Sequence, residues 1–371
     1  MSSQETLYRM ALTRLPGIGI IGAHNLLKAA GSATCLFENR KNLSELIPGI
    51  APHIAAAFDA PETLRICEAE LRFAEKNQIQ YLTEEDEAYP SRLRECSDAP
   101  IVLFYRGNAD LNQSHVISMV GTRHATEYGK DLCLQFVRQL QELLPDTLIV
   151  SGLAYGIDIH AHRASLQQGL ETIGVLAHGL DRIYPAAHRG TAAEMLRQGG
   201  LLTEFMSGTN PDRQNFIKRN RIIAGMSDAT IVVESAEKGG SLITADIAES
   251  YHRDCFAFPG RITDSYSAGC NLLIRTNRAS LIQSAEELVE AMNWKETTVR
   301  PQAIQRQLFP ELSEEEEKII ECLKMYPDGM QINTLVVQCN IPVNRMASLL
   351  FDMEMKGMVR TLAGGMYRLL Q

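Results

Sequence analysis

The spacing of apolar residues divides the chain into a helical segment, a segment of alternating strands and helices, and a second helical segment. Over residues 1–75 apolar residues recur every three or four positions, as in Leu26, Leu27 and Ala30, which predicts amphipathic helices. From residue 76 to 294, short runs rich in valine and isoleucine alternate with longer amphipathic stretches. This alternation indicates βαβ units and a parallel sheet covered on both faces. We therefore predict a doubly wound, Rossmann-like α/β domain over residues 76–294.

A third pattern begins after residue 294. Residues 295–312 show little periodicity and contain two prolines, which is typical of an exposed linker. Ser313 followed by Glu316 predicts a capping box at the start of a helix. The later elements are predicted helices near residues 334–339 and 342–356 and two short strands around Gly364-Gly365. Three helices closed by a hairpin predict a winged helix over residues 313–371.

Glycines occur at two places between the predicted helices of the first segment. The run Gly17-Ile18-Gly19-Ile20-Ile21-Gly22 matches the dinucleotide fingerprint G-x-G-x-x-G, but no strand-like run precedes it, so we reject that interpretation. Leu15-Pro16-Gly17-Ile18-Gly19 is echoed by Ile47-Pro48-Gly49-Ile50-Ala51, as in tandem helix-hairpin-helix (SAM-like) elements, whose glycines let helix-start amides approach a phosphate. Two helix connections without a ligand explain the pattern equally well, because Ala51 replaces the second glycine.

Composition limits the classes of function. The 371 residues include 36 basic and 45 acidic side chains, so any contact with nucleic acid must be local, through a basic patch on an acidic protein. No apolar run approaches the roughly 18–20 residues that span a bilayer, and the amino terminus does not resemble a signal peptide, so we expect a cytoplasmic protein without membrane contact. The eight cysteines are scattered singly, and the histidines lack metal-binding spacing. We expect reduced thiols, no metal and no cofactor.

Glycine and hydroxyl residues cluster where the predicted strands end. In an open parallel sheet, ligands bind beyond the carboxyl ends of the strands. Glycine lets a backbone approach a ligand closely, and free amides and hydroxyls at helix starts accept anions. The loops concerned contain Gly121-Thr122-Arg123, Ser151-Gly152, Gly240-Ser241 and Pro259-Gly260. We expect them to form one phosphate-accepting pocket.

A basic run strengthens this expectation. Residues 213–221 hold Arg213, Lys218, Arg219 and Arg221 without an intervening acid, although the protein carries a net charge of −9. Phe216 lies among these cations and offers a surface for base stacking. A solvated helix face accounts for the charges, but not for their coincidence with Asn220 and the apolar residues that follow.

No catalytic centre is predicted from the residues. A Walker A motif fails because Asp131 follows Gly129-Lys130, and no G-x-S-x-G sequence is present. Asp158 and Glu234 are candidate carboxylates, which we interpret as a helix cap and a loop anchor. We expect a binding protein rather than an enzyme.

An ordered set of motifs follows the predicted sheet: Gly121-Thr122-Arg123, the run from Ser151 to Asp158, Gly179-Leu180-Asp181 with Tyr184-Pro185, Phe216 with the run from Arg219 to Gly225, the run from Gly240 to Ala245, and Pro259-Gly260. This set resembles the bacterial DNA-processing protein A family, DprA, also called Smf. The resemblance extends from about Tyr89-Pro90 to Ile282. It implies a single-stranded DNA-binding protein of natural transformation that protects incoming strands, displaces single-strand-binding protein and helps load the RecA recombinase. It also implies a homodimer formed through the sheet domain.

The resemblance also assigns roles by position. It implies that Arg123 grips a DNA phosphate beside the amides of Gly121 and Thr122. It also implies that Lys218, Arg219 and Arg221 supply the remaining charge around the pocket and that Asn220 holds a turn. The expected DNA-binding residues are Gly121, Thr122, Arg123, Ser151, Gly152, Phe216, Lys218, Arg219, Asn220, Arg221, Gly240 and Ser241. The sequence departs from the family pattern at His188, Gly239 and Asn277-Arg278-Ala279, which affects the expected lining of the pocket.

Two other functions stay open. The same sheet with a Gly-Gly-x-x-Thr turn resembles phosphoribohydrolases that cleave nucleoside monophosphates, although Ala245 stands where those enzymes have a glutamate. A transcription regulator would place the winged helix on duplex DNA. In the predicted recognition helix, however, Arg345 and Lys356 are balanced by Asp352 and Glu354. We therefore expect this module to bind protein or to be vestigial.

Overall fold

The structure, a computed structural model, describes residues 3–294, 312–326, 329–362 and 365–369. Internal contacts divide the chain into two compact units, Met1–Trp294 and Lys295–Gln371. The predicted linker lies outside the described residues except for its last residue, and so does Gly364 of the predicted hairpin.

Six helices begin the first unit. They are α1 (Ser3–Leu12), α2 (Ile20–Ala30), α3 (Ala33–Glu38), α4 (Leu43–Leu46), α5 (Pro52–Ala57) and α6 (Pro61–Lys76). Their apolar faces pack around Leu36 and Phe37 and continue onto Phe104 and Met206 of the following segment, so the helices share a core with the sheet region. Gly17 has a φ of 78° in the turn before α2, and α1 rather than a strand precedes it, which confirms the rejection of the dinucleotide fingerprint.

Nine strands form the central sheet, in the order β1-β2-β6-β5-β4-β3-β7-β8-β9. They are β1 (Gln80–Leu82), β2 (Leu103–Gly107), β3 (His115–Val120), β4 (Thr147–Ser151), β5 (Glu171–Val175), β6 (Gly199–Thr203), β7 (Ala229–Val232), β8 (Asp254–Ala257) and β9 (Ser280–Leu281). The strands from β3 to β9 are mutually parallel, whereas β1 and β2 pair antiparallel at one edge.

Eight helices accompany the sheet. They are α7 (Ser91–Arg94), α8 (Glu127–Leu143), α9 (Ile157–Gln168), α10 (Arg189–Met195), α11 (Arg213–Gly225), α12 (Gly240–Ser250), α13 (Ala268–Arg275) and α14 (Ala285–Ala291). Helices α8, α9 and α14 cover one face, and α11, α12 and α13 cover the other. Strand β3 therefore sends Val116 and Val120 into one core and Ile117 and Met119 into the other, which explains its continuous apolar sequence. The predicted doubly wound α/β fold is confirmed.

The chain reverses direction across the sheet at β3. It runs outward from β3 through β4 and β5 to β6, and then returns to β7 on the other side of β3. Such a reversal leaves a crevice at the carboxyl ends of the central strands, where ligands of doubly wound sheets bind. The loops after β3, β4 and β7 open into this crevice.

The second unit is a winged helix, as predicted. It contains α15 (Glu314–Lys324), β10 (Met330–Gln331), α16 (Ile332–Cys339), α17 (Val343–Met355), β11 (Val359–Leu362) and β12 (Met366–Leu369). The side chains of Ser313 and Glu316 form the predicted capping box. The strands form a three-stranded sheet in the order β10-β12-β11, and Ile319, Leu335 and Leu350 lie in the core.

Helix α17 has few cations available to DNA. Arg345 pairs with Glu315 and Lys356 pairs with Glu316, so the balancing acids belong to α15 and not, as we expected, to α17 itself. Phe351 of α17 is exposed. None of the helices within the described ranges is long and apolar enough to cross a membrane.

Candidate nucleic-acid interface

The loop after β3 is tied to the loop after β7. The Thr122 amide donates to the carbonyl oxygen of Glu234 at 2.7 Å. The Glu234 carboxylate accepts the Thr126 amide at 2.9 Å and the Thr126 hydroxyl at 2.5 Å. Glu234 is thus a loop anchor, as predicted. The Thr122 amide is already hydrogen-bonded to Glu234 and cannot also donate to a phosphate. This corrects our expectation that it binds a DNA phosphate.

A glycine in the loop after β4 holds the same segment from the other side. Gly156 has a φ of 79°, and a Cβ placed there would lie 2.0 Å from the carbonyl oxygen of Thr122. The Ile157 amide donates to that carbonyl at 3.1 Å. Only glycine allows this approach and this backbone conformation. The backbone of Arg123 is therefore fixed, while its side chain is exposed to solvent.

Arg123 lies beside an aromatic ring. Its guanidinium carbon is 5.0 Å from the centroid of the Phe216 ring, and that of Arg219 is 5.6 Å from the same centroid. Phe216 lies in the first turn of α11, where the Asp212 side chain caps the helix by accepting the amide of Asn215 at 2.9 Å. The half-exposed Tyr184 makes an edge contact with Phe216, with 6.1 Å between the ring centroids.

Arg219 is buried and belongs to the core of the site. It donates to the carbonyl oxygen of Gly152 at 2.7 Å and to that of Val175, and its charge faces Asp158. Burial lowers the pKa of Arg219 to about 10, although Asp158 favours the charged form. Burial raises the pKa of Asp158, opposed by Arg219 and by the amides of Ala154 and Gly152. The expectation that Arg219 supplies charge around the pocket is therefore corrected, because its side chain is buried.

Gly152 is the contact point of this pair. A Cβ on Gly152 would lie 2.5 Å from both Arg219 and Asp158, so glycine is needed for the two side chains to meet the end of β4. The residue that caps α9 is Gly156. Asp158 accepts amides of the preceding loop instead of capping the helix, which corrects our interpretation.

The remaining residues of α11 point in different directions. Arg221 donates a hydrogen bond to the Asp98 carbonyl oxygen at 2.6 Å and forms an ion pair with Glu204. Its guanidinium is therefore engaged away from Phe216. Asn220 lies inside the helix and not in a turn. Lys218 is exposed. Of the four cations in the expected DNA-binding set, Arg123 and Lys218 are exposed, and Arg219 and Arg221 are engaged with internal partners.

The two predicted serines make hydrogen bonds inside the protein. Ser151 donates to the Met119 carbonyl at 2.6 Å, and Ser241 donates to the Ser235 hydroxyl at 2.9 Å. Both serines are buried. Gly240 is the first residue of α12, and a Cβ there would meet nothing within 4 Å. The hydroxyls of these two serines are therefore engaged inside the protein and do not line the expected phosphate pocket, whereas Arg123 is exposed.

Two tyrosines near this surface were not among the predicted site residues. Tyr155 is 50% exposed and makes an edge contact with His188 at 4.9 Å between centroids, and Tyr184 is 47% exposed. Both belong to the motifs that carry the family resemblance, and an aromatic residue in a loop at a strand end was the available signal. His188 is buried, and its Nδ1 lies 2.8 Å from the Leu153 carbonyl oxygen.

Two further features bear on a metal site and on phosphoribohydrolase activity. Within the described ranges, no three histidine, cysteine, aspartate or glutamate side chains come together as metal ligands. Ala245, where the phosphoribohydrolases have a glutamate, is buried in the sheet core. The neighbouring Asp246 pairs with Arg278.

Comparison with known proteins identifies the family. Residues 80–293 match the family described as DNA recombination-mediator protein A, and residues 304–365 match the DprA winged helix domain. The chain belongs to the DprA/Smf family of DNA-processing proteins. It is 40% identical over 204 residues to the DNA processing protein DprA of Streptococcus pneumoniae, covering 55% of this chain and 71% of that protein. It is 33% identical over 309 residues to protein Smf of Escherichia coli, covering 81% and 80%.

Solved DprA structures share the fold. The crystal structure of DprA from Streptococcus pneumoniae aligns with a TM-score of 0.65 and 32% identity, over 77% of this chain and 97% of that chain. A structure of DprA from Helicobacter pylori, which was solved to explain the unique single-stranded DNA binding mode of that protein, aligns with a TM-score of 0.52 and 29% identity, over 58% and 96%. The family resemblance predicted from the sequence is confirmed.

Proposed function

We propose that this protein binds single-stranded DNA on the surface formed by Arg123, Phe216 and Tyr184, called here the Arg123–Phe216 surface. The observation that carries the proposal is the exposed guanidinium 5.0 Å from an aromatic ring at the crevice of the sheet. Arginine binds phosphate oxygens through two parallel donors, and an aromatic ring stacks on an unpaired base. In a duplex the base faces are stacked on one another, so the ring contributes only to single-strand binding.

Family membership supports a role in handling incoming DNA. The structural relative from Helicobacter pylori is described as a single-stranded DNA-binding protein. By analogy, this protein protects single strands taken up during natural transformation, displaces single-strand-binding protein and helps load RecA in the cytoplasm. It acts by binding DNA and not as an enzyme. It works as a homodimer, and analytical ultracentrifugation at micromolar concentration tests this oligomeric state directly.

Fluorescence anisotropy tests the DNA-binding proposal. The affinity of the full chain is measured for labelled single-stranded DNA and for the duplex of the same sequence. We expect tighter binding of the single strand, and a large loss in Arg123→Ala but not in Arg138→Ala, which removes an exposed arginine from the middle of α8. Equal affinity for both DNA forms, or equal affinity of both variants, contradicts the proposal.

A second assay tests the proposed step with RecA. RecA hydrolyses ATP only after it assembles on DNA, so a coating of single-strand-binding protein produces a lag. We expect wild-type protein to shorten this lag and Arg123→Ala to leave it unchanged. If the wild type binds single strands but leaves the lag unchanged, DNA binding stands and the role in RecA loading fails.

A further inference from the structure

A depression with a volume of about 430 Å³ adjoins Arg123. Its volume falls within the roughly 300–1,000 Å³ range of ligand sites. The side chains and backbone of the loops after β3 and β4 and of the first turns of α8 and α9 line it. The lining residues are Arg123, His124, Ala125, Lys130, Tyr155, Gly156 and His160. Because Arg123 also contacts Phe216, one guanidinium borders both the Arg123–Phe216 surface and this depression.

The aromatic wall of the depression is held in place from behind. Tyr155 presents half of its surface to solvent, while its ring meets the edge of the buried His188 at 4.9 Å between centroids. The His188 Nδ1 lies 2.8 Å from the Leu153 carbonyl oxygen, which fixes the imidazole against the backbone two residues before Tyr155. The exposed ring is therefore oriented by the core, and its stacking on a base costs little further ordering.

The polar side chains that line the depression can contact both the phosphate and the base of a nucleotide. The Lys130 ammonium lies 2.6 Å from the carboxylate of the exposed Glu127, a pairing that a phosphate can replace. His160 is half-buried, and burial lowers its pKa, with Lys130 and Arg163 acting in the same direction and Glu127 opposing them. Its imidazole is therefore mostly neutral at pH 7, when it can donate to or accept from a base edge.

The floor of the depression is backbone. Gly156 lines it without a side chain, because a Cβ there would collide with the carbonyl oxygen of Thr122. The segment that carries Tyr155 is thereby held against the segment that carries Arg123. A strand that places a phosphate at Arg123 thus meets a second aromatic ring on the loop after β4 and a second cation in the first turn of α8.

We infer that the DNA strand continues from the Arg123–Phe216 surface into this depression, where Tyr155 stacks on a further base and Lys130 contacts a further phosphate. This inference rests on the proposed function and adds a second nucleotide subsite to it. Arg123 is then the central contact between two stacking positions, Phe216 on one side of the bound nucleotides and Tyr155 on the other.

Oligothymidylates of increasing length test the inference with the full chain. We expect Tyr155→Ala to bind long oligomers about 5- to 150-fold more weakly, as for one lost base stack, and its affinity to reach a plateau at a shorter length than in the wild type. Tyr155→Phe should retain both properties, because it keeps the ring. Tyr81→Ala, which removes an exposed tyrosine from β1, is the matched control and should behave as wild type.

Lys130→Gln provides an independent measurement. The log-log dependence of affinity on salt should become less steep by about 0.7, as for one lost phosphate contact on a single strand. Wild-type affinity, plateau length and salt slope in Tyr155→Ala and Lys130→Gln, together with weak binding by Arg123→Ala, would overturn the second subsite and leave the proposed function standing. Wild-type affinity in Arg123→Ala and Phe216→Ala would instead overturn the proposed function itself.

Discussion

The Phe216 ring lies within 6 Å of two guanidinium groups in different environments, that of the exposed Arg123 at 5.0 Å and that of the buried Arg219 at 5.6 Å. Arg123 reaches solvent, whereas Arg219 donates hydrogen bonds to the carbonyl oxygens of Gly152 and Val175. The same ring therefore connects the proposed DNA contact to the core beneath it. This arrangement predicts opposite consequences for substitutions of the two arginines.

Substitution of Arg123 should weaken DNA binding without destabilising the fold. Arg123→Ala removes one charge-assisted contact, so we expect a loss of about 1.5–3 kcal/mol, or roughly 10- to 150-fold in affinity for single strands. Arg123→Lys should also be impaired, because an ammonium lacks the two parallel donors of a guanidinium. Anisotropy measures the affinity, and thermal unfolding should show a nearly unchanged Tm because the side chain is exposed. A large drop in Tm would identify Arg123 as a structural residue.

Substitution of Arg219 should destabilise the fold. Arg219→Met leaves the buried Asp158 without its cation and removes the bonds to two carbonyl oxygens, so we expect a loss of about 3–5 kcal/mol in the free energy of unfolding. Adding Asp158→Asn should recover part of this loss, because no uncompensated charge remains. Urea denaturation followed by the fluorescence of Trp294, the only tryptophan, measures both. Unchanged stability with lost DNA binding would place Arg219 in the DNA contact instead.

Substitution of Phe216 should separate stacking from charge. Phe216→Ala should cost about 1–3 kcal/mol of single-strand affinity, whereas Phe216→Trp should retain it, because both rings offer a face to a base. The salt dependence should stay unchanged in Phe216→Ala, since no phosphate contact is lost. A change in slope as large as that of Arg123→Ala would show that the ring acts by positioning the guanidinium.

The dependence of DNA affinity on salt concentration should show how many of the exposed cations contact phosphates. If Arg123 and Lys218 each contact a phosphate of a single strand, they contribute together about −1.4 to the log-log slope. Arg123→Ala and Lys218→Ala should each reduce the magnitude of the slope by about 0.7. Arg138→Ala, which removes an exposed arginine from α8, is the matched comparison. It should leave the slope unchanged, because Arg138 lies outside the Arg123–Phe216 surface.

Much of the fold follows from the sequence because the central strands are buried on both faces. Val116-Ile117-Ser118-Met119-Val120 is apolar throughout since its alternate residues enter two cores. The capping box of Ser313 and Glu316 is a local motif, and it formed as predicted. Strands β1, β2 and β9 were not predicted. The edge strands β1 and β9 have three and two residues, too few to show a periodicity, whereas the apolar run Leu103-Phe104-Tyr105 of β2 was a strand signal that we missed.

The site was harder to predict, because a polar residue at a strand end can face either solvent or an internal partner. Thr126 and Glu234 are 108 positions apart, and Arg221 and the Asp98 carbonyl are 123 positions apart. No local pattern reveals such pairs. The sequence therefore identified loops that meet at the crevice of the sheet but could not separate Arg123, which is exposed, from Arg219, which the fold buries.

A buried histidine predicts how stability depends on pH. The Nε2 atom of His162 accepts the Leu153 amide at 3.3 Å, so the ring hydrogen lies on Nδ1, which is 2.7 Å from the Thr172 hydroxyl. A second proton on Nε2 would face the Leu153 N–H. Burial, with Arg219 and His188 acting in the same direction, lowers the pKa of His162 to about 3.

The sign of the effect follows from the lowered pKa. Between pH 6.5 and about 3 the unfolded chain binds a proton at His162 that the folded protein does not, so stability falls as the pH falls through this window. The contribution is about 1.4 kcal/mol per pH unit, or roughly 2 kcal/mol at pH 5. His162→Gln retains an acceptor for the Leu153 amide but does not titrate. We therefore expect the wild type to lose about 2 kcal/mol more than this variant between pH 7.5 and 5.0, measured by urea unfolding with Trp294 fluorescence. Equal losses in the two proteins would show that His162 is already protonated in the fold at pH 5.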